Sequence, residues 1–182
     1  MTRRLVITGP ESTGKTTLAA ALGSRLGSPW IGEASRAYAE GRAREGRALT
    51  VADVEPIASM SIAGENEALA RAPELLVLDT DLLSTVVYSR HHYASCPAWI
   101  EAEARARRAE LYLLLEVDLP WIADGVRDRP DNRELMFGLF RDTLAEFGCL
   151  VERVGGRNAS RLRAALDAIE ARGWLVPHTA RV

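Results

Sequence analysis

Residues 9–16 read GPESTGKT, and this stretch decides the fold of the chain. It is a full match to the phosphate-loop pattern GxxxxGK[ST]. A short apolar run at residues 5–7 precedes it, as a strand should, and residues 15–26 follow with leucines along one helical face. In this context the glycines let consecutive backbone amides point at phosphate oxygens, and the helix N-terminus adds its dipole. The sequence therefore predicts a phosphate-binding loop between a strand and a helix.

Two side chains of this loop carry the predicted chemistry. Lys15 is expected to bridge the β- and γ-phosphates as a catalytic charge, and the Thr16 hydroxyl to complete the coordination of Mg²⁺. The other predicted nucleotide contacts are Gly9, Glu11, Ser12, Thr13, Gly14 and Thr17. The alternative is a glycine-rich turn that only caps a helix, and the strand–loop–helix context argues against it.

The charge composition narrows the class of protein. The 182 residues hold 23 Lys+Arg against 25 Asp+Glu, and the formal net charge of −2 gives no overall attraction to nucleic acid or acidic lipid. Lys15 is the only lysine, so 22 of the 23 basic residues are arginine. Ras-like GTPases select guanine with an Asn-Lys-x-Asp segment late in the chain, which needs a second lysine. The sequence therefore excludes a GTPase of that type.

Short apolar runs alternate with longer helical stretches along the chain. The predicted strands lie at residues 5–7, 30–31, 75–78, 111–115 and 150–154. The predicted helices cover residues 15–26, a long segment capped by Thr50 and Asp53, and roughly 81–92, 98–109, 132–146 and 160–171. This order, with strands apolar on both faces, predicts an α/β fold: a parallel five-stranded sheet flanked by helices on both faces.

We expect a single domain over residues 1–176 and a C-terminal tail over 177–182. Residues 41–46 are polar and flanked by glycines, which favours a loop. No apolar run approaches the ~20 residues of a membrane helix, and the N-terminus lacks a signal-peptide core. Cys96 and Cys149 are too few for a disulfide framework. These features predict a soluble cytoplasmic protein with no nucleic-acid or membrane partner.

Carboxylates follow the third predicted strand, at the edge where parallel α/β sheets bind ligands. Asp79 is placed to hold Mg²⁺. Thr80 stands where motor-type ATPases carry a water-activating glutamate, which favours transfer to a bound acceptor over hydrolysis. Asp79 also fits the cap of the next helix, a role for which Asp81 is the better candidate. Asp81 remains open as an alternative catalytic base and substrate contact.

A second carboxylate, Glu33, follows the second predicted strand. From there it would face the γ-phosphate on the acceptor side and accept the proton of an acceptor hydroxyl. Arg36 and Tyr38 are predicted to hold polar groups of the acceptor and to stack on a ring. Glu33 and Arg36 also have the i,i+3 spacing of a simple helix ion pair. We expect either Glu33 or Asp81 to be the base.

A segment rich in glycine, proline, aspartate and arginine, at about 124–132, comes after the fourth predicted strand. Phosphoryl transfer needs positive charge that arrives once the nucleotide is bound, and a closing arginine lid supplies it. Arg127 is the first candidate for a catalytic, nucleotide-contacting arginine in this lid. The alternative is a solvated loop with Asp–Arg pairs.

Four motifs occur in the order found in a known family. They are residues 9–16, Glu33-x-x-Arg36-x-Tyr38, Asp79-Thr80-Asp81, and Pro120-Trp121-x-x-Asp124-Gly125-x-Arg127. In this order they resemble the ribosylnicotinamide kinase domain of NadR-type NAD biosynthesis proteins, an AAA-like P-loop domain, over about residues 4–170. In one departure, Gly32 directly precedes Glu33 where the family often carries a tryptophan suited to stacking a nicotinamide ring, and Trp30 lies two residues earlier.

The resemblance implies a P-loop kinase fold, of the nucleoside triphosphate hydrolase type, and a specific activity. That activity is phosphorylation of the 5′-hydroxyl of nicotinamide riboside by ATP with Mg²⁺, giving nicotinamide mononucleotide. Such proteins can also carry a nucleotidyltransferase domain and a DNA-binding helix-turn-helix upstream, and we expect neither activity here. The open alternatives are a kinase for another nucleoside or small metabolite, and a non-catalytic nucleotide-binding regulatory ATPase module.

Overall fold

A computed structural model describes residues 1–120 and 132–174. Within them the strands are β1 (Arg3–Thr8), β2 (Trp30–Ile31), β3 (Leu75–Asp79), β4 (Leu111–Leu115) and β5 (Val151–Val154). The α-helices are α1 (Lys15–Leu26), α2 (Ala34–Arg44), α3 (Val54–Ala70), α4 (Leu82–Tyr93), α5 (Ala98–Ala106), α6 (Arg133–Glu146) and α7 (Ala159–Glu170). A 3-10 turn at Val51–Asp53 leads into α3.

The five strands form one parallel sheet in the order β2-β3-β1-β4-β5. Ile7 of β1 pairs with Asp79 of β3 on one side and with Leu113 of β4 on the other. β1 is therefore the central strand, and the phosphate loop leaves the sheet beside the carboxyl end of β3, where ligands bind in open parallel sheets. The predicted five-stranded parallel sheet is confirmed.

Successive side chains of the strands enter two separate apolar layers, because strand side chains alternate between faces. Val6 and Leu78 pack in a layer with α3, α4, α5 and α6. Leu5 and Ile7 pack on the other face with α1 and α7. β4 is buried at all five positions, which explains its uninterrupted apolar sequence. Helices cover both faces of the sheet, as predicted.

The predicted loop at residues 41–46 is wrong over its first part, because α2 continues through residue 44. This helix buries only Ala39 and therefore carries no hydrophobic stripe that the sequence could reveal. Polar contacts with Asp53 hold it instead: the Tyr38 hydroxyl donates to Asp53 at 2.9 Å, and an Arg42 guanidinium nitrogen lies 3.2 Å from the same carboxylate. The predicted start of α3 is confirmed, because Asp53 also forms a reciprocal capping box with Thr50.

No helix within residues 1–120 and 132–174 is both long and apolar enough to cross a membrane. The predicted tail at 177–182 lies outside the described residues. So does the predicted arginine lid with Arg127, apart from Asn132 at its end.

Candidate functional site

The phosphate loop joins β1 to α1 through a sharply bent backbone. The φ angle is +131° at Gly9, +54° at Ser12 and +82° at Gly14. A Cβ atom on Gly9 would lie 3.2 Å from the carbonyl oxygen of Leu115, so glycine is what lets the loop pass this close to β4. Such a bend presents successive backbone amides on one side, next to the N-terminus of α1, and phosphate groups bind to this arrangement.

Lys15 lies folded over the loop and is only 7% exposed. Its Nζ donates to the carbonyl oxygens of Gly9 at 3.1 Å and Pro10 at 2.7 Å. The buried Thr13 hydroxyl donates to the same Pro10 oxygen at 2.8 Å. Neutral carbonyls therefore hold the ammonium at the loop, and phosphate oxygens can replace them with stronger, charge-assisted hydrogen bonds.

Thr16 and Asp79 form the second feature of the site. The Thr16 hydroxyl donates to Asp79 Oδ2 at 2.6 Å, and Asp79 is 1% exposed. Its other oxygen, Oδ1, is buried and has no hydrogen-bond partner within the described residues. Burial raises the pKa of Asp79, while the Thr16 hydrogen bond and the charge of Lys15 lower it. A hydroxyl beside a carboxylate with one unused oxygen suits Mg²⁺, which binds proteins through one or two such ligands and takes its others from phosphates and water.

The phosphate loop forms one wall of an open cleft of about 410 Å³. The other walls come from the start of α2 and from the segment after β4. The lining residues are Ser12, Thr13, Gly14, Lys15, Thr16, Thr17, Glu33, Arg36, Leu119 and Pro120. The structure therefore brings the predicted phosphate contacts together with two of the predicted acceptor residues, and Gly9 and Glu11 belong to the same loop.

Glu33 occupies the N-cap position of α2, where the helix meets the cleft. The Ser35 hydroxyl donates to Glu33 Oε1 at 2.6 Å and orients the carboxylate. Two further charges act on the pKa of Asp79, each more weakly than burial, Thr16 and Lys15. The charge of Glu33 raises this pKa, and the charge of Arg36 lowers it. Both side chains therefore lie near enough to Asp79 for their charges to act on it.

Comparison with known proteins identifies the family. A family model described as an AAA domain matches residues 4–161. The chain belongs to this AAA domain family. The trifunctional NAD biosynthesis/regulator protein NadR of Escherichia coli is 27% identical to it over 152 residues, which are 80% of this chain and 37% of NadR.

Solved structures show that this AAA domain has the P-loop kinase fold. A NadR structure in complex with NR matches with a TM-score of 0.75 and 22% identity, and one in complex with NAD and AMP-PNP with 0.74 and 23%. Each match covers 96% of this chain and 50% of the NadR chain. Thymidylate kinase from Ehrlichia chaffeensis matches with a TM-score of 0.62 and 11% identity over 94% of this chain and 98% of the kinase. The predicted resemblance to NadR-type proteins is confirmed, and the chain spans half or less of their length.

Asp81 of the AAA domain serves the fold. Its Oδ1 accepts from the Leu83 amide at 3.1 Å and so caps α4, and its Oδ2 accepts from the Tyr112 hydroxyl at 2.7 Å. Burial raises the pKa of Asp81 to about 6. The expected cap is therefore present. A catalytic role for Asp81 stays a prediction, and the engagement of both oxygens favours Glu33 as the base.

Tyr38 is not among the residues that line the cleft. Its hydroxyl donates to Asp53, which is 4% exposed and needs donors for its buried oxygens. The structure thus places this hydroxyl between α2 and the start of α3, and a contact of Tyr38 with the acceptor stays a prediction. Trp30 does not line the cleft either: a Cβ atom on Gly23 would lie 2.9 Å from Trp30 Cδ1 and one on Gly32 would lie 3.8 Å from Trp30 Cζ3, so the indole lies against α1 and beside Gly32.

The wall of the cleft after β4 depends on residues to which the sequence assigned no role. Leu119 lines the cleft, and its carbonyl accepts from Arg133 Nη1 at 2.9 Å. Asp118 forms an ion pair with Arg161 of α7, 43 positions further along the chain. The only sequence signal for Asp118 was its place shortly after β4, which ends at Leu115, at the same edge of the sheet as Asp79. Arg161 has no such signal, because its partners are distant in sequence.

Proposed function

We propose that this AAA domain is a Mg²⁺- and ATP-dependent small-molecule kinase that phosphorylates the 5′-hydroxyl of nicotinamide riboside. The observation that carries the proposal is the meeting, in one cleft, of the phosphate loop, the Thr16–Asp79 pair and the Glu33 carboxylate. A hydrolase also needs a group that activates water, and Thr80 stands where motor-type ATPases carry that glutamate, whereas a kinase needs a base facing its acceptor, which Glu33 would supply. The similarity to NadR, including a structure with NR, supports nicotinamide riboside as that acceptor.

Nucleotide binding begins at the loop. Lys15 exchanges the carbonyl oxygens of Gly9 and Pro10 for oxygens of the β- and γ-phosphates and neutralises their charge. Thr16 and Asp79 would hold Mg²⁺, which supplies further charge neutralisation on the phosphates when bound. Asp79 Oδ1 has no hydrogen-bond partner among residues 1–120 and 132–174, and this together with the low exposure of the carboxylate suits that task.

The acceptor binds on the α2 side of the cleft. Arg36 attracts its polar groups, and Glu33 orients the 5′-hydroxyl and accepts its proton. The 5′-oxygen forms a bond to the γ-phosphorus while the bond from that phosphorus to the β–γ bridging oxygen breaks, and ADP leaves. Thr80, directly after Asp79, offers no carboxylate to activate water, which favours transfer over hydrolysis. Arg127, outside the described residues, is proposed to close over the phosphates.

A phosphotransfer screen tests the proposal. MgATP is supplied with nicotinamide riboside, common nucleosides and nucleoside monophosphates in turn, and ADP and the phosphorylated product are measured. We expect nicotinamide riboside to be the preferred acceptor. Turnover of another acceptor alone would refute this substrate and retain the kinase, an outcome that Gly32 and the fold shared with thymidylate kinase make worth testing. Slow ATP hydrolysis that no acceptor changes would identify a regulatory ATPase module.

Glu33→Gln tests the assignment of the base. We expect roughly a 10²-fold or larger loss of the transfer rate, because the amide cannot accept a proton, with ATP affinity unchanged. Glu67→Gln is the matched control, since Glu67 lies on α3 with its side chain 74% exposed and pairs with the exposed Arg71. Loss of ATP affinity in Glu33→Gln would make Glu33 a structural residue instead.

A further inference from the structure

Arg161 is a buried charge that the proposed chemistry does not use. It lies in the first turn of α7 and is 4% exposed, although Arg163 on the same helix has 79% of its side chain in solvent. Burying a guanidinium is costly unless its donors find acceptors. Its Nε is buried and has no partner among the described residues. Hydrogen bonds from the other two nitrogens must therefore offset the cost of burying the charge.

Those two nitrogens connect α7 to the phosphate loop and to the end of β4. Nη1 donates to the backbone carbonyl of Thr13, and Nη2 donates to Asp118 Oδ1. Asp118 is itself anchored, because its Oδ2 accepts from the Gly156 amide at 2.5 Å and its carbonyl accepts from Arg157 at 3.1 Å. A planar guanidinium can hold two acceptors in fixed directions at once, which an ammonium on a flexible stem cannot do.

The contact with Thr13 determines which way the next amide points. In a trans peptide the carbonyl of one residue and the amide N–H of the next point to opposite sides, and the described residues contain no cis bond. Because Arg161 holds the Thr13 carbonyl, the Gly14 N–H is directed away from Arg161. Gly14 lines the cleft, and a Cβ atom on it would lie 3.4 Å from Arg161 Nη1, so Arg161 packs directly behind this peptide.

We propose that Arg161 is a positioning residue for the nucleotide site. By holding the Thr13 carbonyl, it keeps the Gly14 amide directed toward the phosphates before the nucleotide arrives. Asp118 sets the position of the guanidinium. Binding then requires no rotation of this peptide, and preorganised donors bind more strongly for that reason. The inference rests on the proposed nucleotide binding and is independent of the acceptor.

The test compares Arg161→Gln, Arg161→Lys and Asp118→Asn with Arg163→Gln as the matched control. ADP affinity is measured by calorimetry well below the melting temperature of each variant. We expect ADP to bind at least about tenfold more weakly to Arg161→Gln, with partial recovery in Arg161→Lys. The control should bind within about twofold of the wild type, because Arg163 has 79% of its side chain exposed and pairs with the exposed Asp167 on its own helix. In turnover assays KM should rise for ATP and stay constant for the acceptor.

A purely structural Arg161 would lower the melting temperature and leave the ADP affinity of the folded protein unchanged. That result in Arg161→Gln would overturn the proposal. If Arg161→Gln does not fold, Asp118→Asn decides, since asparagine keeps the size of this partly exposed side chain and removes the charge that holds the guanidinium. Unchanged ADP affinity there overturns the proposal too. A wild-type protein that binds no ADP would instead refute the proposed function itself.

Discussion

Replacing Gly9 with alanine tests whether the phosphate loop depends on its close approach to β4. Gly9 has a φ of +131°, and an added Cβ would meet Leu115 O at 3.2 Å and Leu115 N at 3.3 Å. The unfavourable φ alone costs about 1–3 kcal/mol, and a methyl group pressed against backbone that cannot move aside adds a similar amount. We therefore expect Gly9→Ala to lower the free energy of unfolding by about 3 kcal/mol. For a domain of this size, that is a fall of roughly 6–12 °C in melting temperature.

Substitutions at two other glycines separate the cost of the unfavourable φ angle from the cost of the close contact with Leu115. Gly46 has a φ of +70° with nothing within 4 Å of an added Cβ, so Gly46→Ala should cost only the backbone strain, about 1 kcal/mol. Gly64 lies inside α3 with open space and no positive φ, so Gly64→Ala should stabilise by about 1 kcal/mol. Urea denaturation gives the three free energies, and ADP calorimetry shows whether the loop has shifted. If Gly9→Ala lowers the free energy of unfolding no more than Gly46→Ala does, and binds ADP normally, then the close approach of Gly9 to β4 does not require glycine.

Three further predictions concern charged and polar groups. Lys15→Arg should abolish phosphoryl transfer, because a planar guanidinium does not fit where the loop holds a compact ammonium, and near-normal turnover would contradict the phosphate-loop assignment. Asp79→Asn should weaken MgATP binding while ATP binding without the metal is retained, and calorimetry with and without Mg²⁺ should reveal the difference. Asp53→Asn should reduce stability at neutral pH. Backbone and hydroxyl hydrogen bonds from Thr50 lower the pKa of Asp53 to about 2, so its contribution exists above the ordinary value and is lost as the pH falls from about 4 toward 2. The unfolding free energies of wild type and Asp53→Asn should therefore converge in acid, and a constant difference would exclude this role.

The sequence predicted the sheet well because its three inner strands, β1, β3 and β4, are largely buried on both faces. β4 is apolar at every position, and such a run has few alternatives to a central parallel strand. The phosphate loop then determined the position of the site. α2 was partly missed because it buries only Ala39, so it lacks the periodic pattern from which helices are predicted.

In and around the site, the sequence predicted contacts between neighbouring residues reliably, but it did not predict contacts between residues far apart in the chain. Thr50 and Asp53 are three residues apart, and the sequence predicted that both favour a helix start there, where the structure shows a capping box. Tyr38 lies 15 residues before Asp53, and no local pattern could show that its hydroxyl is used there. Arg161 is 148 residues from Thr13, and only the folded chain brings this charge behind the phosphate loop.

The two sides of the cleft are supported in physically different ways. The phosphate loop is built on the central strand and backed by the buried Arg161, so it moves only if the sheet or α7 moves with it. α2 carries Glu33 and Arg36, yet it is held mainly through Asp53 and buries almost no apolar surface of its own. Elements with little buried apolar surface open at lower free energy than core elements. The α2 side can therefore change shape or sequence at small cost, whereas the phosphate side cannot. Under the proposed function, this division would let the domain keep one phosphate chemistry while α2 adapts to the acceptor.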